Sequence, residues 1–191
     1  MIKIFFESKE KYFVLLVAVF LFINASCSRQ IYPVTSFHNI ENLAERIKMN
    51  AFMNAGTGKV VNTHSTSPNE IIKTAQNFLG VPHCMGGTTI KCMDCSGLLV
   101  TVFARNGILM PHNSEEQARY GKIIHGMDEL MQGDLVFFVR SYKTSRFITH
   151  SGIYVGNSKF IHSSTKSGVT ITSLYDPWWH EKFIFGTRVF E

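Results

Sequence analysis

The run Asp134-Leu135-Val136-Phe137-Phe138-Val139 marks the point where the sequence changes from a helical to an extended pattern. Further short runs of apolar and β-branched residues follow it, separated by Gly, Asn, Ser or Asp, at residues 148–155, 159–162, 169–172 and 183–190. Short runs bounded by turn residues are typical of β-strands. The C-terminal part of the chain therefore predicts an antiparallel sheet.

Helices are predicted upstream of these strands. Ser67-Pro68-Asn69-Glu70 combines a capping Ser, Pro at the first helical position and Glu three residues after the cap, which predicts a helix over residues 68–79. A second helix is expected to start at residue 94 or 95 and end at residue 106, and a short third one covers residues 114–120. Helices followed by strands favour an α+β domain with N-terminal helices packed on an antiparallel sheet.

Composition limits the function classes. The chain has 191 residues, of which 45% are apolar and 17% charged, so it can bury one sizeable core and is neither a disordered polymer nor a collagen repeat. The net charge of +5 is mild and is not gathered into a basic stripe. Nucleic acid is therefore not an expected partner. A monomer is expected.

Residues 1–26 predict a signal peptide of the lipoprotein type. Lysines precede an apolar run at residues 12–23, which is shorter than the roughly 20 residues that a membrane-spanning helix needs. Ala25 and Ser26 then lead to Cys27, as in the lipobox of bacterial lipoproteins, although Asn24 stands where Leu is usual. We expect lipidation of Cys27 and an exported, membrane-anchored protein. The alternative is ordinary cleavage near Ala25 or Ser26 that leaves Cys27 as a thiol.

Residues 27–67 are predicted to form a tether that contains a short helix. Ser36 is the expected cap of this helix, and its inward residues at helical spacing are Phe37, Ile40, Leu43, Ala44 and Ile47. The helix is expected to pack on the domain behind it, with a membrane-lying role as the alternative. The 40 residues from Ser28 to Ser67 would reach at most about 130 to 140 Å if fully extended.

Cys95 is the candidate nucleophile. It lies in Asp94-Cys95-Ser96-Gly97, in the first turn of the second helix, where the helix dipole and unpaired N–H groups favour thiolate over thiol. If Cys27 is lipidated, three cysteines remain, and an odd number cannot all pair. The alternative interpretation of Cys95 is an ordinary packing residue.

A thiol nucleophile needs a base, and two histidines are candidates. His150 heads one predicted strand and His162 ends the next. An odd-length loop centred on Gly156 would place His150 directly opposite His162 on one face, and this is the register that we predict. A two-residue turn would instead place them on opposite faces. The alternative is a pair of structural histidines.

Several motifs resemble, in order and spacing, those of the NlpC-type cell-wall cysteine peptidases. The motifs are Asp94-Cys95-Ser96-Gly97, residues 133–138, residues 150–156 and residues 160–164, and the match extends from about Asn69 to the C-terminus. The resemblance implies a papain-like α+β domain over residues 68–191 that cuts stem peptides of peptidoglycan. The leader followed by one catalytic domain is most similar to the Spr-type murein endopeptidase lipoproteins.

The resemblance also implies roles for particular residues. Cys95 is the expected nucleophile, His150 the general base and His162 the residue that orients His150. His83, which stands where the family usually has Tyr, is an expected substrate-binding residue, together with Asp94 and Ser96. No metal or cofactor is required, and the substrate is expected to be a bond that involves diaminopimelate. His112 stands where the family often has Arg.

Two other function classes remain open. Cys92 and Cys95 at a two-residue spacing, with Cys84 and a histidine, would supply four zinc ligands. A peptidoglycan-binding lipoprotein without catalysis is the other alternative. Cys92 also permits either an inhibitory disulfide with Cys95 or a bracing disulfide with Cys84, and we expect free thiols or the bracing pair.

Overall fold

The computed structural model describes residue 37 and residues 39–190. The predicted signal peptide, the lipidation of Cys27 and the first part of the predicted tether lie outside these residues. Within the described part, no helix is both long enough and apolar enough to cross a bilayer.

The helices and strands follow in an order that confirms the predicted α+β class. Along the chain they are α1 (Leu43–Asn54), α2 (Pro68–Gln76), β1 (Thr88–Thr89), β2 (Cys92–Met93), α3 (Cys95–Arg105), α4 (Ser114–Gln117), β3 (Lys122–Ile124), a 3-10 helix (Met127–Glu129), β4 (Leu135–Phe138), β5 (His150–Gly156), β6 (Lys159–Ser164), β7 (Gly168–Ser173), α5 (Pro177–His180) and β8 (Phe183–Arg188). Strands β3 to β8 form one antiparallel sheet in the order β3-β8-β4-β5-β6-β7.

The core lies on both faces of this sheet. Residues alternate between the faces of a strand, so Leu135 and Phe137 of β4 join the larger apolar cluster, which includes the buried side chains of α2 and α3. Val136 and Phe138 join a smaller cluster with Phe160 on the opposite face. Strand β4 is therefore buried on both sides, which explains its unbroken apolar sequence.

The predicted start of each of the two longer helices after residue 67 is confirmed. Ser67 caps α2 with a capping box in which Glu70 bonds back to the Ser67 amide. Asp94 caps α3, and its carboxylate accepts a hydrogen bond from the Gly97 amide. Both caps satisfy N–H groups that have no partner inside the helix.

The prediction for the helix in the tether was wrong in its position and its buried face. Helix α1 begins at Leu43 with Asn42 as its cap, after the predicted cap Ser36. Leu43 is 72% exposed and Ile47 60% exposed, whereas Met49 and Phe52 are each 2% exposed. Of the predicted inward residues, Leu43, Ala44 and Ile47 therefore face solvent. Phe37 is buried and Ile40 packs against the core, but both lie before the start of the helix.

Packing in the domain explains the observed orientation of α1. The Phe52 ring contacts Phe147 and Phe185 at centroid distances of 5.8 and 5.9 Å. The backbone carbonyl of Phe52 accepts a hydrogen bond of 2.8 Å from the buried Arg119 guanidinium. The periodicity of the local sequence does not predict these long-range contacts. The folded unit therefore begins well before Pro68.

The hairpin of β5 and β6 differs from the predicted register. Asn157 and Ser158 form a two-residue turn with φ of 53° and 55°. A bulge between Tyr154 and Gly156 adds one residue to β5, so Ile153 pairs with Ile161. The extra residue reverses the face change that a two-residue turn alone would cause.

As a result, His150 and His162 share one face, as predicted, but they are not directly opposite. Continuing the register from Ile153 and Ile161 places His162 across from Gly152, two residues from His150. A Cβ at Gly152 would come within 2.9 Å of the Ile161 carbonyl oxygen and 2.7 Å of the Phe160 ring. Glycine at this position therefore leaves space beside the His162 side chain.

Candidate active site

Cys95 is the first residue of α3, and Asp94 fixes the backbone on which it stands. The Asp94 carboxylate accepts hydrogen bonds from the Gly97 amide at 2.6 Å, the Gly86 amide at 2.7 Å and the Ser96 hydroxyl at 3.0 Å. It also lies 3.2 Å from His112 Nε2. One carboxylate thus ties the loop before β1 to the start of the helix.

A disulfide braces the same loop. Cys84 and Cys92 are bonded, with Cα atoms 5.4 Å apart, and Cys95 is the free cysteine of the described residues. Of the two pairings that the sequence left open, this is the bracing pair. It removes two thiolate ligands from the hypothetical zinc site, so the sulfur chemistry is left to Cys95.

His150 and His162 form the start of a buried hydrogen-bonded chain. His150 Nε2 lies 2.9 Å from His162 Nδ1, and His162 Nε2 lies 2.9 Å from Thr172 Oγ1. The exposed fractions of the two histidines are 7% and 1%. The two histidines therefore hold each other's ring orientation, and the remaining ring nitrogen of His150 is Nδ1.

Trp179 covers the histidine pair. Its ring lies 4.6 Å from His150 and 4.7 Å from His162, measured between centroids. Asp176 caps the short helix α5 that carries this tryptophan. The indole excludes water from the two imidazoles, and its face would stabilise an imidazolium formed at either ring.

Burial sets the protonation states of the site. Burial raises the pKa of the Cys95 thiol, and the Asp94 charge acts in the same direction. Burial, and then the neighbouring His162, hold the pKa of His150 well below its usual range, while burial lowers the pKa of His162 to about 3. Burial therefore favours the uncharged forms of Cys95 and of the two histidines, and at Cys95 it acts against the helix N-terminus, which favours the thiolate.

Cys95 and His150 line one cleft of about 910 Å³, together with His162 and the predicted substrate-binding residues His83, Asp94 and Ser96. Among the described residues, the hydrogen bond of Cys95 Sγ is made to Ser114 Oγ at 3.5 Å and not to His150. Hydrogen bonds between catalytic groups are often long before substrate binds. The structure thus brings the predicted residues to one cleft without a preformed thiol–imidazole hydrogen bond.

The charges along the cleft are unequal. The carboxylates of Asp94 and Asp176 accept hydrogen bonds from helix-start amides. Arg146 and Lys166 also line the cleft, and neither side chain takes part in an ion pair or a hydrogen bond within the described residues. Arg146 and Lys166 are therefore available to pair with an anionic ligand.

Several residues of the site were not identified from sequence. Thr172, Trp179 and Ser114 contact the histidines or the thiol only through the tertiary fold. The Asp176-Pro177 pair is a helix-start signal that predicts α5, but nothing in the sequence indicates that α5 covers the histidines.

Comparison with known proteins identifies a family whose members this chain resembles. Residues 80–188 match the model of the NlpC/P60 family. The chain is 40% identical over 114 residues to the murein DD-endopeptidase MepS/murein LD-carboxypeptidase of Escherichia coli (strain K12), which covers 59% of this chain and 58% of that protein. It is 39% identical over 106 residues to the gamma-D-glutamyl-L-lysine dipeptidyl-peptidase of Bacillus subtilis (strain 168), covering 55% and 34%.

A solved structure is similar as well. An NlpC/P60 family protein from Bacillus cereus ATCC 10987 aligns with a TM-score of 0.61 and 29% identity, over 67% of this chain and 42% of that one. The papain-like fold expected from the sequence is thereby confirmed. The match to the Escherichia coli relative spans less than two thirds of that protein.

Proposed function

Because the chain belongs to the NlpC/P60 family, we propose that it is a cysteine peptidase that hydrolyses stem peptides of peptidoglycan at bonds involving diaminopimelate. The observation that carries the proposal is the buried chain of His150, His162 and Thr172 in the same cleft as the free thiol of Cys95. In this proposal Cys95 is the nucleophile, His150 the general base and His162 the residue that orients it.

The hydrogen-bonded chain supports a definite proton path. If His150 Nε2 donates to His162 Nδ1, then His162 Nε2 donates to Thr172 Oγ1, and His150 Nδ1 keeps its lone pair. That lone pair takes the thiol proton as sulfur attacks the scissile carbonyl, and His150 returns the proton to the leaving amine. The opposite tautomer would leave Nδ1 protonated and unable to act as a base.

The amide groups beside Cys95 are proposed to stabilise the oxyanion. The first N–H groups of α3 have no partner inside the helix, and the amides of Ser96 and Ser151 lie beside the Cys95 sulfur. Donors in this position would bind the negative oxygen of the tetrahedral intermediate. The chemistry needs no metal ion.

Cleft charge supports a peptide substrate with free carboxylates. Arg146 and Lys166 make no ion pair within the described residues, and stem peptides carry the carboxylates of D-glutamate and diaminopimelate. Of the three residues expected to bind substrate, His83 is the one whose ring has no hydrogen bond within the described residues. Asp94 and Ser96 are proposed to act by holding the cleft wall, since their side chains bond to each other at 3.0 Å.

Mass spectrometry of products from defined muropeptides tests this function. Cleavage at a stem bond to diaminopimelate is expected, and the mass of each fragment identifies the bond. A chain that binds the muropeptides and releases no fragment would instead be a binding module, and chelator-sensitive activity that resists alkylation would favour a metal enzyme. Treatment with iodoacetamide and with chelator in parallel therefore distinguishes the three classes.

We also propose that the protein is exported and anchored by a lipid on Cys27. The Escherichia coli relative is a murein DD-endopeptidase, and the leader of this chain has lipoprotein features. Since the folded unit includes Phe37, the ten residues from Cys27 to Ser36 would reach at most about 35 Å. This is far shorter than the tether predicted from sequence, and it would hold the domain close to the membrane surface.

Substitution of Cys27 by Ser is expected to move the protein from the membrane fraction to the soluble fraction, because the acyl chains have no other attachment point in this proposal. Fractionation followed by immunoblotting measures the change, and Ser28→Ala is the matched control because it keeps Cys27. Unchanged membrane retention of Cys27→Ser would rule out the lipid anchor without affecting the peptidase assignment.

A further inference from the structure

A chain of three buried polar side chains lies behind the Cys95 sulfur. Ser114 Oγ lies 3.5 Å from Cys95 Sγ and 3.2 Å from Ser151 Oγ, and Ser151 Oγ lies 3.2 Å from Gln117 Oε1. The exposed fractions of Ser114, Ser151 and Gln117 are 7%, 0% and 0%. Water therefore has little access to these hydrogen bonds, and each proton must be shared among the side chains themselves.

Gln117 fixes the direction of the chain. Its Nε2 donates to the carbonyl oxygen of Ser96 at 2.9 Å and to that of Pro111 at 2.8 Å. These two bonds use both amide protons, and they exclude the flipped amide because it would face an oxygen with two carbonyl oxygens. Gln117 Oε1 is therefore an acceptor, and the Ser151 hydroxyl donates its proton to it.

The acceptor role of Gln117 Oε1 then determines which way each hydroxyl in the chain donates its hydrogen bond. A serine hydroxyl has one proton, so Ser151, which gives its proton to Gln117, is an acceptor toward Ser114. Ser114 must donate to Ser151, which leaves only lone pairs on Ser114 Oγ for the sulfur of Cys95. The hydrogen bond between Cys95 and Ser114 therefore forms with the thiol as donor and Ser114 Oγ as acceptor.

We propose that the Gln117–Ser151–Ser114 relay holds the resting Cys95 as a neutral thiol whose S–H is directed at Ser114 and away from His150. Ser114 is thus a positioning residue. The effect of Ser114 on catalysis rests on the proposed function, whereas the hydrogen-bond geometry does not depend on it. For reaction, the S–H must leave Ser114 and transfer its proton to His150 Nδ1, and no proton passes through the relay.

The relay also opposes ionisation of the thiol in the absence of substrate. A thiolate at Cys95 would face the lone pairs of Ser114. Ser114 can turn its proton to the sulfur only if the bond between Ser114 and Ser151 is lost or Ser151 abandons Gln117. Either rearrangement leaves one buried acceptor without a donor, which is unfavourable.

Alkylation of Cys95 as a function of pH tests the relay without using peptidase activity. Wild type and Ser114→Ala are treated with iodoacetamide between about pH 5 and 10, and mass spectrometry follows the Cys95 peptide alone. In Ser114→Ala the thiol loses its acceptor, so alkylation at pH 7 should be about three- to tenfold faster and the midpoint should move to lower pH. Slower alkylation would mean that Ser114 donates to the thiolate, and it would overturn the proposal.

Ser151→Ala supplies a second, independent arm. Without Ser151 as acceptor, Ser114 is free to donate to the thiolate, so alkylation should again be faster than in wild type. The double variant Ser114→Ala/Ser151→Ala should be slower than Ser151→Ala alone, because the freed donor is gone. Independent, multiplicative effects of the two substitutions would contradict a directed relay.

Thr101→Val is the matched control. Thr101 lies on the same helix as Cys95 and donates a hydrogen bond to the Thr88 carbonyl at 2.8 Å, so the change removes one hydroxyl from α3 without touching the relay. Its alkylation profile should equal that of wild type. A chain that cleaves no muropeptide and still shows the expected alkylation order would refute the proposed function and leave the relay standing.

Discussion

Replacement of Cys95 by alanine is expected to abolish hydrolysis of purified peptidoglycan while the fold remains intact. The substitution removes the atom that would form the covalent bond to substrate, and loss of a nucleophile lowers turnover by orders of magnitude. The structure explains why the fold should tolerate the change. Asp94 still caps α3, the Cys84–Cys92 disulfide is untouched, and the hydrogen bond that is lost to Ser114 is a long one of 3.5 Å.

The measurement is release of soluble muropeptides, quantified by chromatography and mass spectrometry, with urea unfolding as the check of the fold. Cys95→Ala should still bind peptidoglycan, which separates a lost nucleophile from a lost binding surface. More than about one tenth of the wild-type rate in the variant would contradict the assignment of Cys95, since covalent catalysis contributes far more than this factor.

Local signals in the sequence were sufficient to predict the starts of α2 and α3 and to propose candidate site residues. The capping box at Ser67 and the Asp94 cap depend on residues within one helical turn, so the chain itself carries the information. Cys95, His150 and His162 were identified because their residue types suit thiol chemistry and their motifs resemble one family. The structure places all three in one cleft.

The features that sequence analysis did not predict depend on packing between residues far apart in the chain. The bulge at Tyr154 and Gly156 has no local signal that separates it from an odd-length loop, yet it determines that His162 lies across from Gly152. The buried face of α1 follows from Phe52 and its contact with Phe185, far along the chain. The pKa of Cys95 likewise depends on burial, which raises it, whereas the helix start considered alone favours the thiolate.

His150→Ala is expected to reduce turnover almost as severely as the loss of Cys95. Because burial raises the pKa of the thiol, the resting sulfur keeps its proton, and removal of His150 leaves no group in the proposed path to accept it. General acid–base catalysis contributes about 10²- to 10⁴-fold. Peptidoglycan hydrolysis under single-turnover conditions measures the effect, and alkylation of Cys95 shows that the thiol remains accessible.

His162→Ala is expected to cause a smaller loss in the same assay, because His162 orients the base and transfers no proton to substrate. His162→Asn is the informative companion, since an amide oxygen can accept the His150 Nε2–H in place of Nδ1. Burial and His162 hold the pKa of His150 well below its usual range, so the base stays unprotonated under mildly acidic conditions, and the wild-type acid limb should lie below about pH 6.5. A greater loss in His162→Ala than in His150→Ala would reverse the two roles, because the more damaging substitution identifies the residue that takes the thiol proton.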